Sequence, residues 1–399
     1  MKYNRPPLAG SQASIIRRKH LHYDFWLIAI VAILITLGLI LVASSSITVA
    51  DREYGDQLFF FKRQLIAVAI GLASAFVIIR IPLKIWQHLS VYLLILGIML
   101  LILVLMPGIG SEVNGSYRSV KLGPFSMQSS ELVRVCMLVY LSGYLARHDE
   151  KLRTSFTGFI IPIGVVTVIA GLLLLEPDFG TAVVFFATAL GMLFIGGVPL
   201  SRFMAWIMVA FMALVSLALD SPYRLRRLTS FLDPWSDPND SGFQLIQAWI
   251  AFGRGEWAGV GLGSSVQKLF YLPEAHTDFV FAVLGEELGL VGTFTVILLF
   301  FFITWRALVI AQIAEELGKK FASYLAYGIG LILGIQAFIN MGVNMGLLPT
   351  KGLTLPFVSY GGNSVISSCI LIGLLIRVEY ENHFTRKDKI PEAMNTYAA

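Results

Sequence analysis

The sequence predicts an all-α integral membrane protein of about ten transmembrane helices. Three observations lead there. Of its 399 residues, 56% are hydrophobic and only 14% charged, whereas a soluble domain carries roughly a quarter charged residues. The apolar residues gather into long runs. The lysines and arginines between those runs fall mainly on one side when the chain is threaded back and forth across a bilayer.

A helix needs about 20 apolar residues to cross the hydrocarbon core. Runs of that kind occupy 25–47, 64–80, 86–106, 129–146, 156–175, 179–198, 203–219, 278–305, 322–346 and 363–378. The fourth is interrupted by Glu131 and Arg134, and the tenth is the shortest. The first is too long for the core of a signal peptide and is followed by further spans, so it is expected to be an uncleaved anchor.

Loop cations set the orientation. Arg17, Arg18 and Lys19 precede the first run. Arg80 and Lys84, then Arg147, Lys151 and Arg153, then Arg202, then Arg306, Lys319 and Lys320 fall on the same side. Arg377, Arg386, Lys387 and Lys389 follow the last run. Both termini are therefore expected in the cytoplasm, with tails at 1–24 and 379–399 flanking a transmembrane domain at 25–378. The net charge of +5 is read as a topology signal, and no nucleic-acid partner is expected. Cys136 and Cys369 lie inside apolar runs, so buried thiols and no disulfide are expected.

Three segments break the pattern, all on the predicted extracytoplasmic side. Residues 107–128 read as a polar loop rich in Gly and Ser. Residues 220–277, between spans seven and eight, form the longest loop, with an apolar stretch at 243–252 of helical spacing. That stretch is too short to span and is expected to lie in the membrane interface or to dip into it. Residues 347–362 are rich in Gly and Pro. Long connections are usually functional, which places the chemistry on this face.

Four stretches in these regions carry a resemblance. They are Leu122-Gly-Pro-Phe-Ser-Met-Gln128 leading to Ser130-Glu-Leu, and Glu176-Pro-Asp-Phe-Gly-Thr181. The third is Leu272-Pro-Glu-Ala-His-Thr-Asp278-Phe, continuing to Gly285-Glu-Glu-Leu-Gly289. The fourth is Pro349-Thr-Lys-Gly-Leu-Thr-Leu-Pro356-Phe-Val-Ser-Tyr-Gly-Gly362. In this order they resemble the motifs of the SEDS family of bacterial membrane polymerases, and the wording of the fourth favours its cell-division member over its elongation member. Two departures stand out. Tyr117-Arg-Ser-Val-Lys121 lacks the aromatic that usually follows the arginine, and Arg134 stands where the family usually has lysine.

The resemblance implies a SEDS fold and a peptidoglycan glycosyltransferase that polymerises lipid II into glycan strands at the division septum, in the bacterial cytoplasmic (inner) membrane. It also implies a divalent cation (Mg or Mn), a class B penicillin-binding transpeptidase as partner, and contacts with other membrane division proteins. In such a transfer an acceptor sugar hydroxyl attacks the donor's anomeric carbon and expels a lipid pyrophosphate. A carboxylate base activates the hydroxyl, and cations or a metal stabilise the leaving group.

Asp278 is the candidate base, at the mouth of the eighth span. Position alone favours an ordinary helix N-cap, and the surrounding motif reverses that weighing. His276 is assigned a supporting hydrogen-bonding role. Glu131 and Arg134 are three apart and share a helix face. They read either as a buried structural pair or as groups lining the substrate cavity. Arg118 and Lys121 are candidates to meet pyrophosphate, or else solvated surface charges. Asp178 reads as a helix cap with a supporting role. Lys351 and Ser359 are candidate substrate contacts, Ser359 because Gly361 and Gly362 after it could turn backbone N–H groups toward an anion, or equally could serve only close helix packing. Glu286 lies roughly 80° from Asp278 on a helical wheel and Glu287 roughly opposite, so both are assigned interior hydrogen bonding or ion pairing. The metal ligands stay unassigned.

Other motifs fail. Asp233, Asp237 and Asp240 are too widely spaced for an EF-hand. Ser265-Val-Gln-Lys268 lacks the companion motifs of penicillin-binding enzymes. There is no Walker A sequence. A lipid II flippase and a non-catalytic division scaffold are the competing readings. Motif residues gathered at one membrane face, without an internal repeat, favour an enzyme.

Overall fold

The computed structural model describes residues 24–106, 110–113, 116–122, 125–219, 229–240, 242–350 and 352–396. The N-terminal tail up to residue 23, residues 220–228 of the long loop, and Lys351 lie outside the described residues.

Helices dominate. They are α1 (Phe25–Tyr54), α2 (Phe59–Arg80), α3 (Leu83–Leu105), α4 (Ser129–Arg147), α5 (Asp149–Thr154), α6 (Phe156–Leu175), α7 (Phe179–Ile195), α8 (Leu200–Leu219), α9 (Phe243–Gly255), α10 (Val280–Glu316), α11 (Lys320–Asn344) and α12 (Gly362–Thr396). Among the described residues, α1, α2, α3, α6, α10, α11 and α12 are long and apolar enough to cross a membrane, seven in all. The chain is a multi-pass membrane protein. Helices α4, α7 and α8 occupy the other three predicted runs; α4 carries Glu131, Arg134 and Arg147, and α7 is 17 residues long.

Local chemistry sets several helix starts. Asp24 accepts the Leu27 N–H (3.2 Å) at the start of α1, and Ser155 accepts the Thr157 N–H (3.2 Å) at the start of α6. Burial then sorts centre from periphery. The most apolar windows of α11 and α12 are 67% buried, against 28% for α2 and α3. Helices α11 and α12 therefore form the interior, and α2 and α3 show most of their side chains outward. Helix α12 lies against α2, and α11 against α10, α4 and α7. Small residues let these backbones approach: a Cβ on Gly373 would sit 3.0 Å from the Ala75 Cα. Cys136 and Cys369 are free, buried thiols.

Three expectations need correction. The predicted polar loop at 107–128 holds a three-stranded antiparallel sheet, β1 (Gly110–Val113), β2 (Ser116–Leu122) and β3 (Phe125–Gln128). Its register pairs Gly110 with Val120 and Leu122 with Phe125. Its strands are too short and mixed in polarity to stand out from a Gly/Ser-rich background. The stretch at 243–252 is helical, as its spacing indicates, and belongs to α9, whose Leu245, Ile246, Ala248 and Ala251 are buried and whose Trp249 Nε1 donates to the Met345 carbonyl (3.2 Å).

The eighth run is not one regular helix. Helix α10 breaks at Gly289 (φ 64°, ψ −161°), a conformation that favours glycine. A break strands backbone groups, which apolar surroundings cannot satisfy. The loop after α9 supplies the partners. Val260 and Gly261 N–H donate to the carbonyls of Glu286 (3.0 Å) and Glu287 (3.1 Å), and Leu290 N–H donates to the Glu256 carbonyl (2.9 Å). Finally, 379–396 is no separate tail but continues α12. Its residues tie other helix ends together: Glu379 accepts the Asp24 N–H (3.0 Å), Glu381 accepts the Leu83 N–H (3.0 Å), and Asn382 donates to the Ile310 carbonyl (3.1 Å).

Two glycines on α9 separate space from propensity. A Cβ on Gly255 would overlap the Gly285 carbonyl oxygen of α10, while one on Gly253 meets nothing within 4 Å. Gly255→Ala is expected to destabilise the protein by about 1–3 kcal/mol through overpacking. Gly253→Ala should be neutral or stabilising by up to about 1 kcal/mol. Thermal unfolding of both variants in detergent reads the contrast, and equal melting temperatures would contradict the α9–α10 contact.

Candidate active site

The residues that break the apolar pattern converge on one cavity of about 830 Å³, within the range of small-molecule sites. Its walls come from β2 and β3 (Arg118, Gln128), α4 (Glu131, Arg134), the turn between α6 and α7 (Asp178), the segment before α10 (Thr277, Asp278), α11 (Gln336) and the chain leading into α12 (Thr350, Gly352, Asn363). Of the residues singled out in the sequence, Asp278, Arg118, Glu131, Arg134 and Asp178 meet here.

Asp278 immediately precedes α10. The cap position of that helix is Phe279, with no side-chain cap, so the helix-cap alternative for Asp278 does not hold. Its backbone carbonyl accepts from Asn340 Nδ2 (2.9 Å) and Asn344 Nδ2 (3.0 Å). A Cβ on Gly352 would lie 2.9 Å from Asp278 Oδ2, so the loop backbone runs directly beside the carboxylate.

Arg134 is 2% exposed and is held by α11 and α12. It donates to Gln336 Oε1 (2.5 Å), Ser367 Oγ, Ser368 Oγ (3.1 Å) and the Ser364 carbonyl (3.4 Å), and it pairs with Glu131 Oε2 at 3.1 Å. Glu131 also accepts from Ser367 Oγ (2.6 Å). Both readings of this pair are realised together: it is a structural knot whose edge lines the cavity. Arg118 is no solvated surface charge. It donates to the carbonyls of Glu176 (3.1 Å) and Pro177 (2.7 Å), fastening β2 to the turn between α6 and α7. In that turn Glu176 is buried and accepts from Ser129 Oγ (3.2 Å). Burial pushes its carboxyl up to about 8. Asp178 caps α7 by accepting the Thr181 N–H (3.3 Å).

Two residues shape the loops around the cavity, Ser359 and, through its carbonyl, which accepts the Tyr360 N–H (2.9 Å), His276. Ser359 is 1% exposed and lies outside the cavity lining. Its Oγ accepts the Leu355 N–H (2.8 Å) and its carbonyl accepts from Gln64 Nε2 (3.0 Å), so it folds the loop. The Gly361 N–H donates to Gln64 Oε1 (3.2 Å) and is not offered to an anion. His276 stands among aromatic rings, 4.7 Å from Phe60 and 5.7 Å from Tyr360, centroid to centroid. Burial lowers its pKa, against the opposing pull of Glu274 and Glu53. Lys121 lies on β2 with its side chain outside the described residues, as is the whole of Lys351.

Glu286 and Glu287 face away from Asp278 and grip the preceding loop. Glu286 accepts from Ser265 Oγ (2.5 Å) and from the Val266 (3.1 Å) and Gln267 (3.2 Å) N–H groups; Glu287 accepts from Lys268 Nζ and Ser44 Oγ, at 2.8 and 2.7 Å. Ser265 and Lys268 thus belong to a structural network. The sequence reading missed Gln336, Asn340 and Asn344. Their signal was present: amides four residues apart on one helix face, in an otherwise apolar span.

A model of the FtsW/RodA/SpoVE family, described as cell cycle protein, matches residues 25–384. The chain belongs to this family. Among its relatives is the protein of Nitrosococcus halophilus (strain Nc4) named probable peptidoglycan glycosyltransferase FtsW, 53% identical over 363 residues, covering 91% of this chain and 94% of that one. The protein of the same name from Legionella pneumophila is 48% identical, covering 96% and 98%. Among solved structures, a chain from a peptidoglycan synthase complex that coordinates polymerization and crosslinking superposes with a TM-score of 0.74 at 27% identity, covering 91% and 99%. Rod shape determining protein RodA of Thermus thermophilus gives 0.66 at 27% identity, covering 90% and 97%. The SEDS fold expected from the motifs is the fold found.

Among the described residues, no three of His, Cys, Asp and Glu stand together as a metal-binding group. The family member described here therefore has no protein-only cation cage among those residues.

Removing the buried Arg134 cation separates its structural worth from chemistry. Arg134→Leu leaves the partly exposed Glu131 without its cationic partner and is expected to cost at most about 3–5 kcal/mol, the figure for a fully buried pair. Arg134→Lys keeps the charge and loses the planar fork, so it should fall between the two. Thermal unfolding and the monodisperse fraction in detergent give the order, and a Leu variant as stable as the parent would contradict it.

Proposed function

We propose that the chain is a peptidoglycan glycosyltransferase that polymerises lipid II, with Asp278 as general base. The observation that carries this reading is Asp278 on the wall of a cavity of about 830 Å³ shared with Arg118, Glu131 and Arg134, in a chain about half identical to proteins named peptidoglycan glycosyltransferase. The Asp278 carboxylate takes the proton of the acceptor hydroxyl as the hydroxyl oxygen bonds to the donor's anomeric carbon. The bond from that carbon to the pyrophosphate oxygen breaks. Arg118, and the field of Arg134 behind Glu131, favour the negative charge that develops there. Arg134 acts through the field because its Nη1 and Nη2 donors are committed to the bundle and its Nε is buried.

A divalent cation is part of the proposal only in a limited form. A hydrated Mg²⁺ takes ligands from substrate phosphates and one or two carboxylates, and Asp278 or Glu131 would hold it; it would neutralise leaving-group charge. Asp278→Asn keeps size and loses the base, so lipid II polymerisation by the purified protein should fall about 10²–10⁴-fold. EDTA with verified metal removal should slow the parent. Near-normal glycan yield from Asp278→Asn would refute the base, and full activity in EDTA would exclude a required metal.

The finer topology follows the same reading: ten spans, both termini cytoplasmic, the cavity opening outward at the septum. Asp24, Arg306 and Glu379 cluster where the cation pattern predicts the cytoplasmic face, at helix ends remote from Asp278. A class B penicillin-binding transpeptidase completes the proposal, since glycan strands need cross-links and this chain offers no acyl-transfer site among its described residues. A cytoplasm-dependent reporter after Ala399 should be active. An inactive transpeptidase partner should raise the polymerisation rate; unchanged rates with a confirmed complex would rule out activation.

A further inference from the structure

We infer that Asn340 and Asn344 position Asp278, acting jointly on its backbone carbonyl. The inference rests on the reading of Asp278 as the base. Asparagine is a poor helix former, and a buried amide costs free energy unless it is hydrogen-bonded. Asn340 and Asn344 are 2% and 0% exposed inside α11. Neither spends its amide on stabilising its own helix alone. Both Nδ2 groups donate to the Asp278 carbonyl, at 2.9 and 3.0 Å, filling both lone pairs of that oxygen.

Their remaining contacts reach the other two sides of the aspartate. Asn344 Oδ1 accepts the Ala282 N–H (3.1 Å), which it shares with the Phe279 carbonyl (3.0 Å), and so ties α11 to the first turn of α10. Asn340 Nδ2 also donates to the Leu353 carbonyl (2.5 Å), next to the Gly352 backbone that abuts the Asp278 carboxylate. One turn above them, Gln336 joins Arg134 to the Thr354 carbonyl (2.9 Å). A single face of α11 thus sets the distance between the base, the loop beside it and the buried cation. A general base must stand within hydrogen-bond reach of the proton it removes, and displacement of about 1 Å costs about 10²-fold.

The two amides are redundant toward one acceptor, and this gives a signature that simple packing lacks. Asn340→Leu and Asn344→Leu each leave the carbonyl with one donor; the double variant leaves none. Lipid II consumption is measured per folded molecule, with melting temperature recorded for each variant. Each single variant is expected to lower kcat less than tenfold, and the double variant at least about 100-fold, with KM unchanged. If the double leucine variant does not fold, Asn340→Ser with Asn344→Ser takes its place, since serine is too short to reach the carbonyl yet keeps the site polar. A double variant within tenfold of the parent, losses that merely multiply, or a change confined to KM would overturn the positioning role. Asp278→Asn measured in parallel separates the two claims: parental activity there overturns the base reading, whereas its loss beside an undiminished double variant overturns only the positioning.

Discussion

A guanidinium buried in an apolar bundle has to be surrounded by acceptors, because an unpaired charge there costs several kcal/mol or more. Arg134 imposes that demand on three helices at once. Its acceptors come from α4, α11 and α12, so the relative rotation of those helices is fixed by where Glu131, Gln336, Ser367 and Ser368 must point. The constraint spreads outward through shared partners. Gln336 passes it to the Thr354 carbonyl, and Ser367 passes it to Glu131. A charge that looks like a catalytic candidate thereby shapes the cavity wall, whatever it contributes to the chemistry.

The other side of the cavity depends on a different device. Gly289 breaks α10, and the loop from 256 to 261 pairs with the backbone groups that the break releases. Glu286 and Glu287 then bind residues 265–268 of the same loop through charged and neutral donors. The segment ending at Asp278 is consequently fastened at both ends, by carboxylates upstream and by amides at the aspartate itself. Fixed dipoles and fixed reacting groups are the condition for electrostatic catalysis in a site of low dielectric. A membrane enzyme meets that condition here with interior polar contacts.

What the sequence made legible follows from the bilayer. Lipid permits spanning helices or closed barrels, so uninterrupted apolar runs translate directly into helices; the run at 156–175 coincides with α6. The sheet was not legible because the sequences of its strands, four and seven residues long, mix polar and apolar residues without a continuous apolar stretch. The extension of α12 was not legible because its polar residues read as solvated, whereas Glu379, Glu381 and Asn382 are consumed by contacts with other helix ends. In the site, motif membership located Asp278, Glu131, Arg118 and Asp178 on the cavity. It did not separate out Ser359, which is buried off the cavity lining, because a motif records residues that shape a loop as well as those that face its contents. The amide stripe of Gln336, Asn340 and Asn344 was open to periodicity analysis, since polar side chains at every fourth position of an apolar span have one common face to occupy.

That difference bears on how polar residues divide in such a protein. In water a polar side chain can be idle; inside a membrane bundle an unsatisfied one costs free energy, and among the described residues only a few buried atoms, such as Arg134 Nε, Asp178 Oδ2 and Asn340 Oδ1, lack a partner. Most polar groups around this cavity are accordingly committed to one another, and the number left to meet a ligand is small. Asp278 has its backbone secured by two amides and its carboxylate on the cavity wall. Arg134 has the reverse arrangement, with its donors engaged inside the bundle and only its edge at the wall. Substitutions of the two should therefore fail in different ways: the first sets the rate of a folded enzyme, and the second sets how much folded enzyme there is. Loss of activity alone does not distinguish a reacting group from a supporting one in this fold, and burial of the side chain's polar atoms does.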